Sequence, residues 1–343
     1  MSLTPTRRAL AAVATTVAVA LTAAGCGGSS GAATDDGKTV VRYQSYLGTV
    51  NLPELADALG YYDGTSVELK RLGDVQGGPE SLRALATDQV DYSAAFLGAI
   101  AKLESTGAPI QTYVAYYGSD DTVNSSLLVR KGDGIEDPRD LIGKKIAVNT
   151  LGANAEAVID TYLADGGLSQ DEIAQVTLVP LPPATSESSL REKQVDAVYL
   201  GGTFREVALQ RPGLEVLVDD TDVVGPYNGG GISLRDQWVA QHPEGAKEFV
   251  AGMAKAVAWA QEHSAKEVVD TISTYLEEDG RGDQAEALSY WKGLGISTEG
   301  GTLSDDDFSI WVDWLEANGE VEDGAVDVGD LYTNDLNPYA KEG

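Results

Sequence analysis

The stretch VELKRLGDVQGGPESLRALATDQVDYSA, residues 67–94, decides the fold class. Val67 to Leu72 reads as a strand, Gly77-Gly78-Pro79 opens a helix, and Val90 to Ala94 is a strand again. Strand, helix and strand in immediate succession form the unit of a parallel sheet, because parallel neighbours need a crossover connection. Upstream, Val40-Val41-Arg42-Tyr43 is a strand, and Pro53 to Leu59 starts a helix with proline in its first turn, where the missing N–H has no helical partner to lose. Downstream, Ile110 to Ala115 is a further strand.

The rhythm restarts at Lys145-Ile146-Ala147-Val148, followed by a helix around Glu156 to Leu163 and strands at Val176 to Val179, Asp196 to Leu200 and Glu215 to Val218. Two similar βαβ blocks in succession, without an exact repeat, predict α/β lobes with mainly parallel sheets. Beyond about Asp236 the chain turns helical: Gly245 to Glu262, Lys266 to Glu277 and Asp305 to Ala317 carry apolar residues at three- and four-residue spacing. Trp259, Trp291, Trp311 and Trp314 fall in this region and at that spacing read as core.

The N-terminus carries a different signal. Arg7 and Arg8 precede an uncharged run from Ala9 to Gly25, too short and too rich in alanine for a bilayer span of roughly 20 strongly apolar residues. A basic start, a brief apolar stretch and small residues before a cut site make residues 1–25 an export signal. The run ends Leu21-Thr22-Ala23-Ala24-Gly25-Cys26, and Cys26 is the only cysteine. That ending resembles a bacterial lipobox, with Ala23 where leucine is commonest, so Cys26 is expected to carry lipid and residues 26–38 to form a flexible tether. A free cysteine beside an ordinary cleavage site is the alternative. Thr6-Arg7-Arg8-Ala9-Leu10 partly resembles a twin-arginine signal, which leaves two export routes open.

Removing the signal leaves a little over 300 of the 343 residues, enough for two lobes with separate cores. The formal net charge of −30 repels phosphate backbones, so nucleic acid is excluded as a partner. No catalytic constellation emerges. His242 and His263 are the only histidines and have no partner at metal-ligand spacing. There is no G-x-S-x-G elbow. Gly143-Lys144 lacks the upstream glycine of a phosphate loop, the position holding Pro138. Asp120-Asp121 and Asp219-Asp220 read as solvated loop charges.

Four segments carry a family resemblance. They are Gly78 to Ala86 leading to Val90-Asp91-Tyr92, DPRDLIGKKIAV from Asp137 to Val148, Val195-Asp196-Ala197-Val198-Tyr199, and the C-terminal WLEANGEVEDGAVDVGDLYTNDL. In that order they resemble the type II periplasmic-binding-protein superfamily over roughly residues 39–340, and more narrowly the nitrate/sulfonate/taurine binding family, which includes pyrimidine-precursor binders. The resemblance implies two α/β lobes joined by two crossover strands with a ligand cleft between them. Lobe one is expected at 39–127 and 234–343, lobe two at 128–233, and the crossovers near Leu127 to Lys131 and Tyr227 to Leu234. Gly229-Gly230-Gly231 is expected to supply unusual backbone angles at the second crossover. It further implies a monomer that takes a small organic ligand, a sulfonate-type or related organic anion, needs no cofactor or metal, and delivers to an ABC permease and its ATPase from a lipid-anchored, extracytoplasmic position.

In such lobes ligands sit beyond the carboxyl ends of strands, where helix N-termini present unpaired N–H groups. The expected cleft residues are therefore Ser45, Tyr46, Gly77, Gly78, Phe96, Tyr116 and Tyr117 in lobe one, and Thr150, Asn154, Thr185, Gly201, Gly202, Thr203 and Phe204 in lobe two. Thr150, Asn154 and Thr203 are equally expected as helix caps, and Tyr46 and Tyr116 as a wall for the ligand. Family members with a tryptophan, an acid and a proline after the Asp-Ala strand would align them with Gly201, Gly202 and Thr203. The missing ring is expected to enlarge the cleft for a ligand bigger than nitrate. Arg205 reads as a first-turn surface residue. Competing readings are a pyrimidine-like or aromatic heterocyclic ligand, a sensor without a transport role, and an enzyme on the same fold.

Overall fold

The computed structural model describes residues 37–341; the export-signal residues, Cys26 and all but the last two tether residues lie outside that range. The first body contains β1 (Thr39–Tyr46), α1 (Leu52–Ala58), β2 (Val67–Val75), α2 (Gly78–Ala86), β3 (Tyr92–Phe96), α3 (Leu97–Glu104) and β4 (Ile110–Ser119). The second contains β5 (Ser125–Arg130), β6 (Lys145–Val148), α4 (Asn154–Asp165), α5 (Gln170–Ile173), β7 (Thr177–Pro180), α6 (Pro183–Arg191), β8 (Ala197–Gly201), α7 (Gly202–Gln210), β9 (Leu214–Asp219) and α8 (Asp220–Val224). The chain then returns to the first through β10 (Tyr227–Arg235), α9 (Asp236–Gln241), α10 (Pro243–Glu262), α11 (Ala265–Glu278), α12 (Gly282–Ala287) and α13 (Asp305–Ala317). Among the described residues no helix is long and apolar enough to cross a membrane.

The second body is a five-stranded sheet in the order β7-β6-β8-β5-β9. Its strands alternate between two cores: Leu127 and Val129 join α4 residues Ala155, Ile159 and Leu163 on one face, while Leu128 joins Leu190 of α6 and Ala208 of α7 on the other. Side chains of period two on a sheet covered by helices on both faces give near-continuous apolar strands, which is why these segments read so clearly. The first body pairs β1 with β2 and, separately, β3-β10-β4. The two sheets are stitched by Asp91, wholly buried, whose N–H donates to the Arg42 carbonyl at 2.9 Å and whose carboxylate holds Arg42 at 2.7 Å and Arg235 at 3.1 Å. Commitment of Asp91 to that cluster explains why β3 starts at Tyr92 rather than at Val90.

The sheets are less uniformly parallel than the βαβ rhythm implies. β1 with β2, and β6 with β7 and β8, run parallel, but β10 lies antiparallel to β3 and β4, and β5 antiparallel to β8 and β9. The odd strand in each body is the one arriving from the other body. It enters at the hinge end, where the resident strands finish, and so must run against them. The passages lie between Ser119 and Ser125 and between Val224 and Tyr227.

Gly229, Gly230 and Gly231 do not adopt left-handed angles. Gly229 and Gly230 are glycines because Tyr117 lies across the strand: a Cβ at Gly230 would stand 2.1 Å from the Tyr117 ring and one at Gly229 2.7 Å from it, while one at Gly231 would stand 2.4 Å from the Thr112 methyl. The C-terminal helices pack as their spacing predicts. α10 buries Phe249, Val250, Met253 and Val257, α11 buries Val268, Ile272 and Leu276, and Trp311 of α13 meets Phe96 edge-on at 4.8 Å.

The far side of the first body carries an unrelieved carboxyl. Glu104, at the end of α3, has one buried oxygen without a partner, and burial, then Asp236 and Asp330, push its pKa up to about 9. The unfolded value is about 4.3. With the folded value raised, the native state keeps a proton that the unfolded chain releases, so this contribution to stability is present at low pH and lost as pH rises through about 9. Glu104→Gln is expected to raise the melting temperature at pH 9 and to change it little at pH 4. Calorimetry giving equal shifts at both would refute the burial argument.

Candidate ligand-binding cleft

Between the two bodies lies a cavity of about 320 Å³, the size of a small-molecule site. Its wall on the first body is aromatic. Tyr46 and Tyr116 tilt against each other at 5.8 Å, and Tyr117 meets Tyr116 edge-on at 6.1 Å. The wall is fixed from behind: the Tyr46 hydroxyl donates to the Ala94 carbonyl, and the Tyr116 hydroxyl donates to Asn51 Oδ1 at 3.3 Å, which also accepts the Tyr46 N–H at 3.0 Å.

The floor is built around one carboxylate at the start of α8. Asp220 is 1 % exposed. It accepts from the Ser119 hydroxyl at 2.7 Å, the Ser125 N–H at 3.1 Å and the Tyr227 hydroxyl at 2.9 Å. These donors sit at the end of β4, the start of β5 and the start of β10, so one side chain ties both passages between the bodies. Asn154 extends the network, donating to the Tyr227 oxygen at 2.9 Å and accepting from the Tyr199 hydroxyl at 3.1 Å. Burial raises the pKa of Asp220, and burial likewise holds the Tyr116, Tyr117, Tyr199 and Tyr227 hydroxyls above their ordinary value, so these phenols stay neutral.

Five helices begin at this cavity. Its lining includes Gly77 and Gly78 at α2, Phe96 at α3, Ala153 and Asn154 at α4, Pro183 at α6, and Gly201 and Gly202 at α7. None of the five has a side-chain cap; the N-cap residues are Gly77, Phe96, Ala153, Pro182 and Gly201. The four capping boxes among the described residues, at Asp137, Ser169, Ser264 and Ser304, all lie away from the cavity. Capping residues satisfy the orphan N–H groups of a first turn; without them those groups are open to water or a ligand, although α9, α10 and α12 away from the cavity are uncapped too and Pro183 of α6 has no N–H to offer. A negative group at such an end gains up to about 2 kcal/mol in a partly buried site.

Of the residues expected at the cleft, Tyr46, Gly77, Gly78, Phe96, Tyr116, Tyr117, Asn154, Gly201, Gly202 and Phe204 line it. Ser45, Thr150, Thr185 and Thr203 do not. Strand alternation turns Ser45 away from Tyr46, toward Glu54 at 2.7 Å. Thr185 is an exposed first-turn residue whose hydroxyl returns to the Pro182 carbonyl at 3.0 Å. Thr203 is turned inward, its hydroxyl buried without a partner. Thr150 packs toward Gly77 of the other body, where a Cβ would meet its methyl at 3.1 Å. None of Thr150, Asn154 and Thr203 caps a helix. Gly201 is glycine for a different reason from the one expected: it pairs with Ser125 in the sheet, and a Cβ would fall 2.3 Å from the Ser125 hydroxyl. Arg205 is no surface residue, its side chain 12 % exposed between Glu206 at 2.7 Å and Asp219 at 3.1 Å.

Sequence reasoning missed Tyr199, Glu206, the Ser119 to Ser125 passage and the segment Tyr290 to Leu294, all of which contribute to the lining. Trp291 serves both roles, packed into the first core and facing the cavity.

A model of the family described as NMT1/THI5 like matches residues 54–267. A protein of Bacillus subtilis strain 168 named as an aliphatic sulfonates-binding protein is 27% identical over 192 residues. That match spans 55% of each chain, about half the length of the relative. Among solved structures, the periplasmic aliphatic sulphonate binding protein SsuA of Escherichia coli superposes with a TM-score of 0.61 at 17% identity, covering 88% of this chain and 94% of that one. The periplasmic nitrate-binding protein NrtA of Synechocystis PCC 6803 gives 0.64 at 13%, covering 87% of each. The desulfurization enzyme DSZB gives 0.60 at 18%, covering 87% and 97%. These likenesses establish the two-lobed type II binding-protein fold.

Removing the Asp220 carboxylate should show how much the floor holds. Each donor left dry costs about 1–3 kcal/mol, so Asp220→Ala is expected to lower the unfolding free energy by about 3 kcal/mol or more. A loss below about 1 kcal/mol on denaturant titration would mean that water replaces the carboxylate.

Proposed function

The chain belongs to the NMT1/THI5-like family, and from that membership and the form of its cleft we propose that it is the extracytoplasmic binding component of an ABC importer for an organic anion of the sulfonate type. One observation carries the reading: five uncapped helix N-termini open onto a cavity with an aromatic wall. Oriented N–H groups receive a tetrahedral anionic head without a basic side chain, and the tyrosines receive an organic tail. Burial of a ring against such a wall adds about 0.5–1.5 kcal/mol beyond the area removed from water. The relatives named for sulfonates and nitrate support the anion; the aromatic wall favours a ligand with a carbon skeleton over a bare one. An aromatic heterocycle of the pyrimidine type is the second reading, supported by the same tyrosines.

Binding rather than catalysis is supported by the makeup of the cavity. Among the described residues its lining has no cysteine or histidine, and its one lining acid, Glu206, is tied to Lys292 and Arg205. Delivery to a permease and ATPase, rather than to a receptor, follows from the importer reading.

Thermal-shift and calorimetric titration with hexanesulfonate, benzenesulfonate, nitrate and a hydroxymethylpyrimidine separates these readings. A ligand at a hundred times its Kd stabilises the fold by about 2.7 kcal/mol, and the two organic sulfonates are expected to do so while nitrate does not. Stabilisation by the pyrimidine alone would transfer the assignment to the second reading.

We propose in addition that lipid on Cys26 anchors the mature protein to the outer face of the cell membrane. Two or more acyl chains are needed for durable attachment. Cys26→Ser is expected to move the protein from the membrane to the soluble fraction or to leave it unprocessed; identical fractionation of mutant and wild type would remove the anchor.

A further inference from the structure

Among the described residues two charged side chains line the cavity, Glu206 and Lys292, and they are bound to each other, Nζ to Oε2 at 2.7 Å. They belong to opposite bodies. Glu206 lies on α7, its other oxygen held by Arg205 at 2.7 Å. Lys292 lies beyond α12 on a segment that the first body fixes firmly. Trp291 and Leu294 are buried in the first core, and the Gly118 N–H donates to the Leu294 carbonyl at 2.9 Å. Gly118 and Gly295 approach so closely that a Cβ on Gly295 would stand 2.2 Å from the Gly118 carbonyl oxygen. Lys292 cannot drift with the second body; the bridge exists only while the bodies are together. Its position is the rim of the cavity, where the Lys292 side chain is 47 % exposed and Leu47 and Tyr290 show similar exposure.

We propose that Lys292 and Glu206 latch the two bodies across the mouth of the cavity and, by neutralising its only lining cation, specify a ligand whose negative charge is confined to the end held by the helix N-termini. The ligand half of this inference rests on the proposed function; the latch half does not. A second anionic group at the mouth would have to displace Glu206 from Lys292 and would then face that carboxylate directly. An uncharged end leaves the bridge intact. Glu206 keeps its Arg205 partner in either case. With Lys292 half exposed at the rim, the pair is screened by salt, so the latch is expected to weaken as ionic strength rises.

Small-angle scattering on the ligand-free protein tests the latch. Lys292→Met, which keeps the apolar stem, is expected to enlarge the radius of gyration at low salt, while Lys292→Arg stays as compact as wild type. Molar salt should expand wild type toward Lys292→Met and leave that variant unchanged. A Lys292→Met protein as compact as wild type at low salt overturns the latch. Calorimetry with hexanesulfonate and the disulfonate carrying the same chain between two sulfonates tests the ligand half. Wild type is expected to prefer the monosulfonate by roughly tenfold or more, and Glu206→Gln, which frees Lys292, to narrow that ratio several-fold. Equal binding of both probes by wild type, or an unchanged ratio in Glu206→Gln, overturns the charge rule. If neither sulfonate binds, the functional reading and the charge rule fall together, and the scattering result still decides the latch.

Discussion

The cleft depends on a carboxylate that had to be buried. Asp220 sits where both passages between the bodies converge, and it gathers a hydroxyl from the end of β4, an N–H from the start of β5 and a phenol from the start of β10. A carboxylate in such a place is costly unless its lone pairs are filled; here the backbone topology brings the donors. The reverse also holds. Ser119, Ser125 and Tyr227 come from three separate strand ends, and no side chain but one central acceptor could satisfy all three. Through Tyr227 and Asn154 the same network reaches the cavity lining. Hinge and floor are therefore one hydrogen-bonded unit, and a rearrangement of either is felt by the other.

A net charge of −30 stands against the anionic ligand proposed above only at a distance. At physiological ionic strength exposed charges are screened beyond about 8 Å, whereas the dipole of a helix acts within its first turn. The lining carries one charge of each sign, Lys292 and Glu206, which neutralise each other, and the Asp220 carboxylate beneath it is held by its own donors. The uncapped N–H groups then add a local positive field at the helix ends. That field is created by omission: glycine, phenylalanine, alanine and proline stand where serine, threonine or aspartate would have closed the helix ends.

Omission is hard to read from a sequence, and this accounts for much of what sequence reasoning missed. Strands such as Lys145 to Val148 and helices such as Gly245 to Glu262 were legible because burial imposes a period on them. The cleft loops were legible because they follow from where strands end. The individual contacts were not. Thr150, Asn154 and Thr203 are good capping residues by type, yet the backbone places Ala153 and Gly201 at the N-cap positions of α4 and α7. The Gly229 to Gly231 triplet signals a special backbone, but glycine answers to two demands, positive φ and close approach, and only the positions of Tyr117 and Thr112 distinguish them. Lys292 reaches the cavity from a segment without helical or strand period, held there by a contact between Gly118 and Gly295 that local patterning does not encode.

At the cavity itself the two bodies meet through small contacts, while away from it α4 adds Ala157 and Val158 to the first body's core. Phe204 of the second body rests over Gly48 of the first, where a Cβ would come within 2.9 Å of its ring, and Thr150 lies toward Gly77 in the same manner. Large side chains at both partners would either prop the bodies apart or, packed well, hold them together with the strength of a core. A ligand shifts an equilibrium between open and closed forms only by its differential affinity for the two, and moving a population from one part in a hundred to ninety-nine needs about 5.5 kcal/mol. A closed form already favoured by a broad apolar interface would respond to no ligand, and one opposed by strain would demand more than a small molecule can supply. At the cavity the bodies meet through glycines facing single side chains and an ion pair at the rim, contacts weak enough for the differential affinity of a ligand to matter there.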